Sequence, residues 1–77
     1  SFDGQVGAIG GIQQKMAGAR KAGSTFFLAP ASNCDEVKGH EPKGMQVFAV
    51  STLHEAVTAT QAIASGDTSG LATCSAK

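Results

Sequence analysis

The run Thr25-Phe-Phe-Leu-Ala29, stopped by Pro30, constrains the fold of this chain more than any other stretch. It is continuously apolar rather than alternating, the pattern of a strand covered on both faces, and such strands belong to parallel sheets crossed by helices. Met45 to Val50 reads as a further strand, Gly11 to Ala22 as a helix, and Leu53 to about Ala64 as another. Between the two strands, Ser32 or Asn33 can cap a short helical turn that carries Asp35 and Glu36 near its start. Phe2 to Ile9, with an Asp3-Gly4 turn signal, suits the second arm of a hairpin or a strand ending at the glycine pair. The order strand, helix, strand, short helix, strand, helix predicts a small βαβαβα unit of the α/β class, with a mainly parallel sheet and right-handed crossovers. One edge of such a sheet lacks a partner, so further strands are expected before Ser1.

Local signals set the predicted element ends. Gly23 is placed to close the first helix in the left-handed conformation, with Arg20 and Lys21 at the negative end of its dipole. Thr52-Leu-His-Glu55 is a capping-box pattern, and Leu53, Ala56, Val57, Thr60 and Ile63 or Ala64 form the predicted inward face of the helix it opens. All predicted elements fall within residues 1–64. Residues 65–77 are small, polar and without a period, and read as a loose tail except where Cys74 is tied down.

Size and charge exclude several function classes. A chain of 77 residues is one domain at most, and it buries only about 60–65% of its unfolded surface. Much of its apolar content is alanine, and the aromatics are Phe2, Phe26, Phe27 and Phe48, so the core must be thin. Six basic and six acidic residues cancel, which argues against nucleic acid or anionic lipid as a partner. No apolar run approaches the roughly 20 residues that cross a bilayer. The start Ser1-Phe-Asp-Gly4 lacks the basic end and apolar stretch of a signal peptide, although a parent chain can be exported or anchored.

Lys15 is the residue that most invites a functional reading. The core-facing stripe of the first helix runs Ile12, Lys15, Met16, Ala19 and Ala22 or Gly23, which puts a cation in or beside an apolar seam. Either its stem covers apolar surface while the ammonium reaches water, or it is desolvated and serves as a general base. Other candidates fail on spacing. Gly4-x-x-Gly7-x-x-Gly10-Gly11 has neither the Gly-Lys-Ser/Thr ending nor the Gly-x-Gly pair of the nucleotide-binding loops. Cys34, Asp35, His40 and His54 match no structural zinc pattern, so neither a metal nor another cofactor is expected.

The stretch Gly4-Gln-Val-Gly-Ala-Ile-Gly-Gly-Ile-Gln-Gln-Lys15, continuing through Ala19-Arg-Lys-Ala-Gly23 to Phe26-Phe-Leu-Ala-Pro30-Ala-Ser-Asn33, resembles the C-terminal subdomain of a Lon-type proteolytic domain. In that family a hairpin strand ends in an Ile-Gly-Gly turn, and a helix follows whose lysine lies four residues after the second glycine, here Lys15. Val50-Ser-Thr-Leu-His-Glu-Ala56-Val57 is similar to the family's last strand-to-helix junction, so the resemblance covers residues from about 4 to 64. Gly-Gly-Ile-Gln-Gln-Lys and Ala-Pro-Ala-x-Asn-Cys look most like the Lon-like domain of bacterial secreted or membrane-anchored proteins that also carry a PDZ domain. Many members have proline where Ala8 stands, a change that loosens the turn without touching the chemistry.

The resemblance implies an ATP-independent serine endopeptidase with a Ser-Lys dyad, in which Lys15 is the general base and the nucleophilic serine lies upstream of Ser1. None of Ser1, Ser24, Ser32, Ser51, Ser65, Ser69 or Ser75 stands in the family's serine motif, so the chain by itself is expected to be inactive. The implied partners are a peptide or unfolded protein substrate, the upstream half of the same domain, a PDZ domain and, as a further option, copies of itself. The implied location is extracytoplasmic, secreted or anchored through the parent. With the secreted relatives in view, Cys34 and Cys74 are read as a disulfide that pins the tail beneath the short helix, the alternative being two free thiols. Closing that loop of about 40 residues is worth roughly 4 kcal/mol in the chain-entropy model. Two other readings stay open: a catalytically idle Lon-like module for peptide docking or assembly, and an unrelated small α/β ligand-binding unit. The dyad reading further expects the Lys15 ammonium in a shallow, partly apolar groove, and the fragment reading expects exposed apolar surface or a bare strand edge.

Overall fold

Helix α1, Ile12–Lys21, begins where Gly11 turns into the left-handed region at φ 67°, a conformation that glycine enters without a Cβ penalty. It ends as predicted. Ala22 is the C-cap residue, Gly23 follows at φ 101°, and the amides of Gly23 and Ser24 donate to the carbonyls of Arg20 and Ala19, both at 3.0 Å. That crossed pair is a Schellman closure, which satisfies carbonyls the helix would otherwise leave open. The structure, a computed structural model, describes residues 4–74.

After α1 the chain forms strand β1, Phe26–Pro30, a 3-10 turn over Ala31–Asn33, the short helix α2, Cys34–Val37, strand β2, Gln46–Val50, and helix α3, Leu53–Ser65. Strands β1 and β2 pair in parallel, with Phe26 opposite Gln46 and Pro30 opposite Val50. Alternate residues of each therefore share a face, and Phe26 stacks on Phe48 across the strands with ring centroids 6.1 Å apart. The described residues thus form a small α/β unit around a two-stranded parallel sheet.

Two sequence expectations need correction here. The first predicted strand is absent from its described part: residues 4–10 make a single antiparallel bridge, Gln5 to Thr52, flanked by hydrogen bonds from the Val6 amide to the Ser51 carbonyl and from the Leu53 amide to the Gly4 carbonyl. With its ladder limited to that bridge the segment does not count as a strand; Ser1–Asp3 lie outside the described residues. The βαβαβα unit is therefore observed, over the described residues, as αβαβα. Strand β1 is also not covered on both faces. Ala29 and Pro30 are buried, Phe27 and Leu28 are half-buried, and Phe26 is exposed, so cover increases toward the carboxyl end of the strand.

Helix α3 is entered through the predicted capping pair, with a shift of one residue. The Glu55 amide donates to Thr52 Oγ1 at 3.0 Å, while the Glu55 carboxylate accepts from the Ser51 amide at 2.6 Å rather than from that of Thr52. Thr52→Ala is expected to lower the stability of the fold by about 1 kcal/mol. The readout is the urea midpoint at unchanged slope, and no shift would mean that water replaces the hydroxyl. The inward face of α3 is the predicted one only at Ala56 and Ile63. Ala59 is buried, with Ala56, Ala62 and Ile63 half-buried beside it, whereas Leu53 and Val57 are 59% and 48% exposed. The helix turns its small side chains toward the sheet, and two larger ones, one turn apart, face outward as an apolar stripe.

The core is thin, as the composition requires. Ile12 and Met16 from α1, Ala29 from β1, Val37 from α2, Met45, Val47 from β2 and Cys74 pack together. Cys34 and Cys74 are joined in a disulfide with Cα atoms 4.9 Å apart, within the span such a bond needs. The segment after α3 is not a free tail over its described part. Gly66 closes α3 at φ 86°, and Asp67 accepts from the Ser69 hydroxyl at 2.8 Å and its amide at 3.3 Å. Those two bonds hold the Asp67 carboxyl below the ordinary carboxylate range. The chain then returns to β2, where the Ala49 amide donates to the Ala72 carbonyl at 2.9 Å and Phe48 bridges Thr73.

Candidate functional site

Lys15 sits in the first turn of α1, where its own amide makes the opening helical bond to the Gly11 carbonyl at 3.0 Å. Side chains on a helix lean toward its N-terminus. The Lys15 side chain follows this rule, and its Nζ donates to the Gly10 carbonyl at 3.2 Å. The residue is exposed, although its neighbours in the predicted stripe, Ile12 and Met16, are 1% and 0% exposed. The buried seam is narrower than predicted. At about 100° per residue, Lys15 lies about 60° from Ile12 and about 100° from Met16 around the helix, which takes it to the flank, while Ala22 and Gly23 are also exposed. The hollow beside the start of α1 is lined, among the described residues, by Gly11, Ile12, Gln13, Gln14 and Glu36 rather than by Lys15.

The turn that carries Lys15 is held from the other side of the fold by Asn33. Asn33 is 3% exposed, and its side chain treats Ile9 as a strand neighbour would. Its Oδ1 accepts from the Ile9 amide and its Nδ2 donates to the Ile9 carbonyl, each at 2.9 Å. The same Nδ2 also donates to Glu36 Oε1 at 2.9 Å, and Gln13 Nε2 donates to the Glu36 carbonyl at 2.9 Å. The start of α1, the Ile9-Gly10-Gly11 turn and the start of α2 are therefore one hydrogen-bonded cluster. This overturns the capping role expected of Asn33: the residue precedes α2, but its amide makes no cap bond, because both polar atoms are committed to Ile9 and Glu36.

The described serines are elsewhere. Ser65 Oγ donates to the Ala62 carbonyl, Ser69 Oγ to Asp67, and no hydrogen bond joins Lys15 to a serine among the described residues; Ser1 and Ser75 lie outside them. No group of three or more His, Cys, Asp or Glu side chains among the described residues is placed to hold a metal, and the disulfide removes Cys34 as a thiolate ligand. What the site offers chemically is one amine on a rigid helix, fixed at a clamped turn and open to whatever approaches that face. A second concavity of about 470 Å³ lies at the carboxyl end of β2, with Val50, Ser51, His54 and Leu71 among its lining.

No family model matches this chain, and no solved structure matches it at a significant level.

Proposed function

We propose that this chain is the C-terminal part of an ATP-independent Lon-like serine endopeptidase, to which it contributes Lys15 as the general base of a Ser-Lys dyad. The single observation that carries the reading is the Gly10-Gly11 turn opening α1 with Lys15 in the first helical turn, its Nζ at the Gly10 carbonyl. A base must be held on a rigid element and left reachable from the side where the nucleophile arrives. The Asn33 clamp on Ile9 supplies the first condition; Lys15 is exposed in this chain, so the reading requires the upstream half of the domain to supply the apolar cover expected around its ammonium. In the reaction the neutral amine takes the proton of a serine hydroxyl contributed by sequence upstream of Ser1, as that oxygen bonds to the peptide carbonyl carbon. The resulting ammonium returns the proton to the departing amine, and water then releases the acyl group from the serine.

The proposed substrate is an extended peptide or unfolded protein, and the proposed setting is extracytoplasmic, in a parent that also carries a PDZ domain. A disulfide between Cys34 and Cys74 suits an oxidising compartment. The apolar stripe of Leu53 and Val57 on α3 suits a chain whose surface is covered by further parts of the same domain or by another copy. A second reading, a catalytically idle module for docking or assembly, is favoured by the exposure of Lys15, which does not line the hollow beside the start of α1.

The test is direct. The longer protein that contains this chain, incubated with an unstructured polypeptide and no nucleotide, is expected to generate new peptide N-termini, while residues 1–77 in isolation generate none. A longer protein that leaves the polypeptide intact, with or without nucleotide, would support the idle module instead.

A further inference from the structure

The two edges of the sheet are finished differently. The outer side of β2 is covered, since the Ala49 amide donates to the Ala72 carbonyl at 2.9 Å and Phe48 bridges Thr73. The outer side of β1 is not. Among the described residues the sheet holds β1 and β2 alone, and no isolated bridge reaches β1. Which of its backbone groups face outward follows from the ladder. The Gln46 amide donates to the Thr25 carbonyl at 2.9 Å, so in the parallel register Phe27 and Ala29 also turn their N–H and C=O groups toward β2. Phe26, Leu28 and Pro30 turn theirs to the open side.

The outward set is limited at both ends. Pro30 has no N–H, the form in which an edge strand tolerates proline. Ser24, the residue of the same parity just before β1, has its amide committed to the Ala19 carbonyl at 3.0 Å. Phe26 and Leu28 are thus the residues of this edge that offer both a donor and an acceptor, and they lie symmetrically about Phe27. Edge strands ordinarily guard against pairing with charged side chains. Thr25-Phe-Phe-Leu-Ala-Pro30 carries none, Phe26 is 39% exposed, and Phe27 and Leu28 are half-buried.

We propose that the outer edge of β1 is a homodimer interface, at which a second copy of this chain adds its own β1 in the antiparallel sense across a twofold axis. With Phe27 opposite Phe27 of the copy, Phe26 and Leu28 exchange N–H and C=O bonds with Leu28 and Phe26 of the copy, so each outward group of these residues meets its complement. The same register sets Pro30 opposite Ser24 of the copy, two residues without a free amide, and strands no donor at either end. The Phe27 rings meet at the position where facing side chains approach most closely, and Phe26 packs beside Leu28 on the face where it already stacks on Phe48. The pairing brings no like charges together, and the sheet becomes continuous through both copies. This interface does not depend on the peptidase reading.

Sedimentation velocity of the 77-residue chain is the first measurement. Between about 1 μM and 1 mM it is expected to show a monomer–dimer equilibrium with a Kd on the order of 0.1 mM, the strength of a small interface. Residue-resolved amide exchange over the same range locates the contact. The Phe26 and Leu28 amides are expected to exchange near the open-chain rate when dilute and about fivefold more slowly at the concentrated end, where about four-fifths of the chains are paired. Phe26→Pro removes an outward amide that the β1–β2 ladder does not use, and is expected to raise Kd about tenfold or more with the Gln46 amide still protected. Should that variant unfold, the concentration dependence in the parent chain decides alone. A monomer up to about 1 mM would overturn the proposal. So would a dimer that leaves the Phe26 and Leu28 amides unprotected, which would place the contact elsewhere, as on the Leu53 and Val57 stripe. Protection of both amides at every concentration would overturn it too, because a strand of the same chain would then already occupy the edge.

Discussion

Asn33→Ala is expected to destabilise the fold by about 2–4 kcal/mol, a large share of what a domain of this size has available. The side chain makes three hydrogen bonds, two to the backbone of Ile9 and one to Glu36, from a position that is 3% exposed. Truncation leaves the Ile9 amide and carbonyl without their partners, and it opens a gap between the Ile9-Gly10-Gly11 turn and α2. Each such bond contributes about 0.5–1.5 kcal/mol net, and the stranded backbone groups set the upper end of the range. Asn33→Asp keeps the acceptor for the Ile9 amide but loses the donor, and it sets a carboxylate against the Ile9 carbonyl and the Glu36 carboxylate. Its penalty is expected to shrink as the pH falls and the new carboxyl takes a proton that it can donate. Urea midpoints for both variants, with exchange at the Ile9 amide as a local readout, check the account. A midpoint for Asn33→Ala within about 0.5 kcal/mol of the parent would show that water replaces the clamp.

The parts of this fold that were legible in the sequence are those governed by neighbours along the chain. The Gly11 entry and Gly23 closure of α1, the Thr52 cap and the two strands each depend on few residues with strong local rules, whereas the pairing of Cys34 with Cys74, 40 positions apart, rests on the count of two cysteines and the resemblance to secreted relatives. What was not legible depends on three-dimensional partners. The outward turn of Leu53 and Val57 follows from Ala59 lying against the sheet, a choice that periodicity cannot make between two overlapping stripes. The segment 4–10 carries strand signals but makes only one bridge among the described residues, and residues 70–74 look unstructured in sequence because their order comes from β2 and the disulfide. Counting i, i+3, i+4 puts Lys15 in or beside the seam without choosing between them, and it lies beside it because only Ile12 and Met16 reach the core fully. Asn33 was visible as a polar residue after a strand, but its partner Ile9 is 24 positions away and has no signal in the sequence.

Lys15→Ala carries the second large effect, on activity rather than on folding. The side chain is exposed and its hydrogen bond to Gly10 is solvent-facing, so its removal should change stability by less than about 0.5 kcal/mol. A general base, by contrast, contributes about 10²–10⁴-fold to the rate. Lys15→Arg keeps the charge and the reach but cannot take up a proton, so it should fail as completely as alanine. The most direct measurement is kcat/KM for cleavage of an unstructured polypeptide by the longer protein, wild type against Lys15→Ala, with thermal unfolding of both recorded in the same buffer. The account predicts a loss of about 100-fold or more at an unchanged unfolding midpoint. Cleavage retained within about threefold of the wild type would contradict it, and Lys15 would then be a surface lysine at a well-built turn.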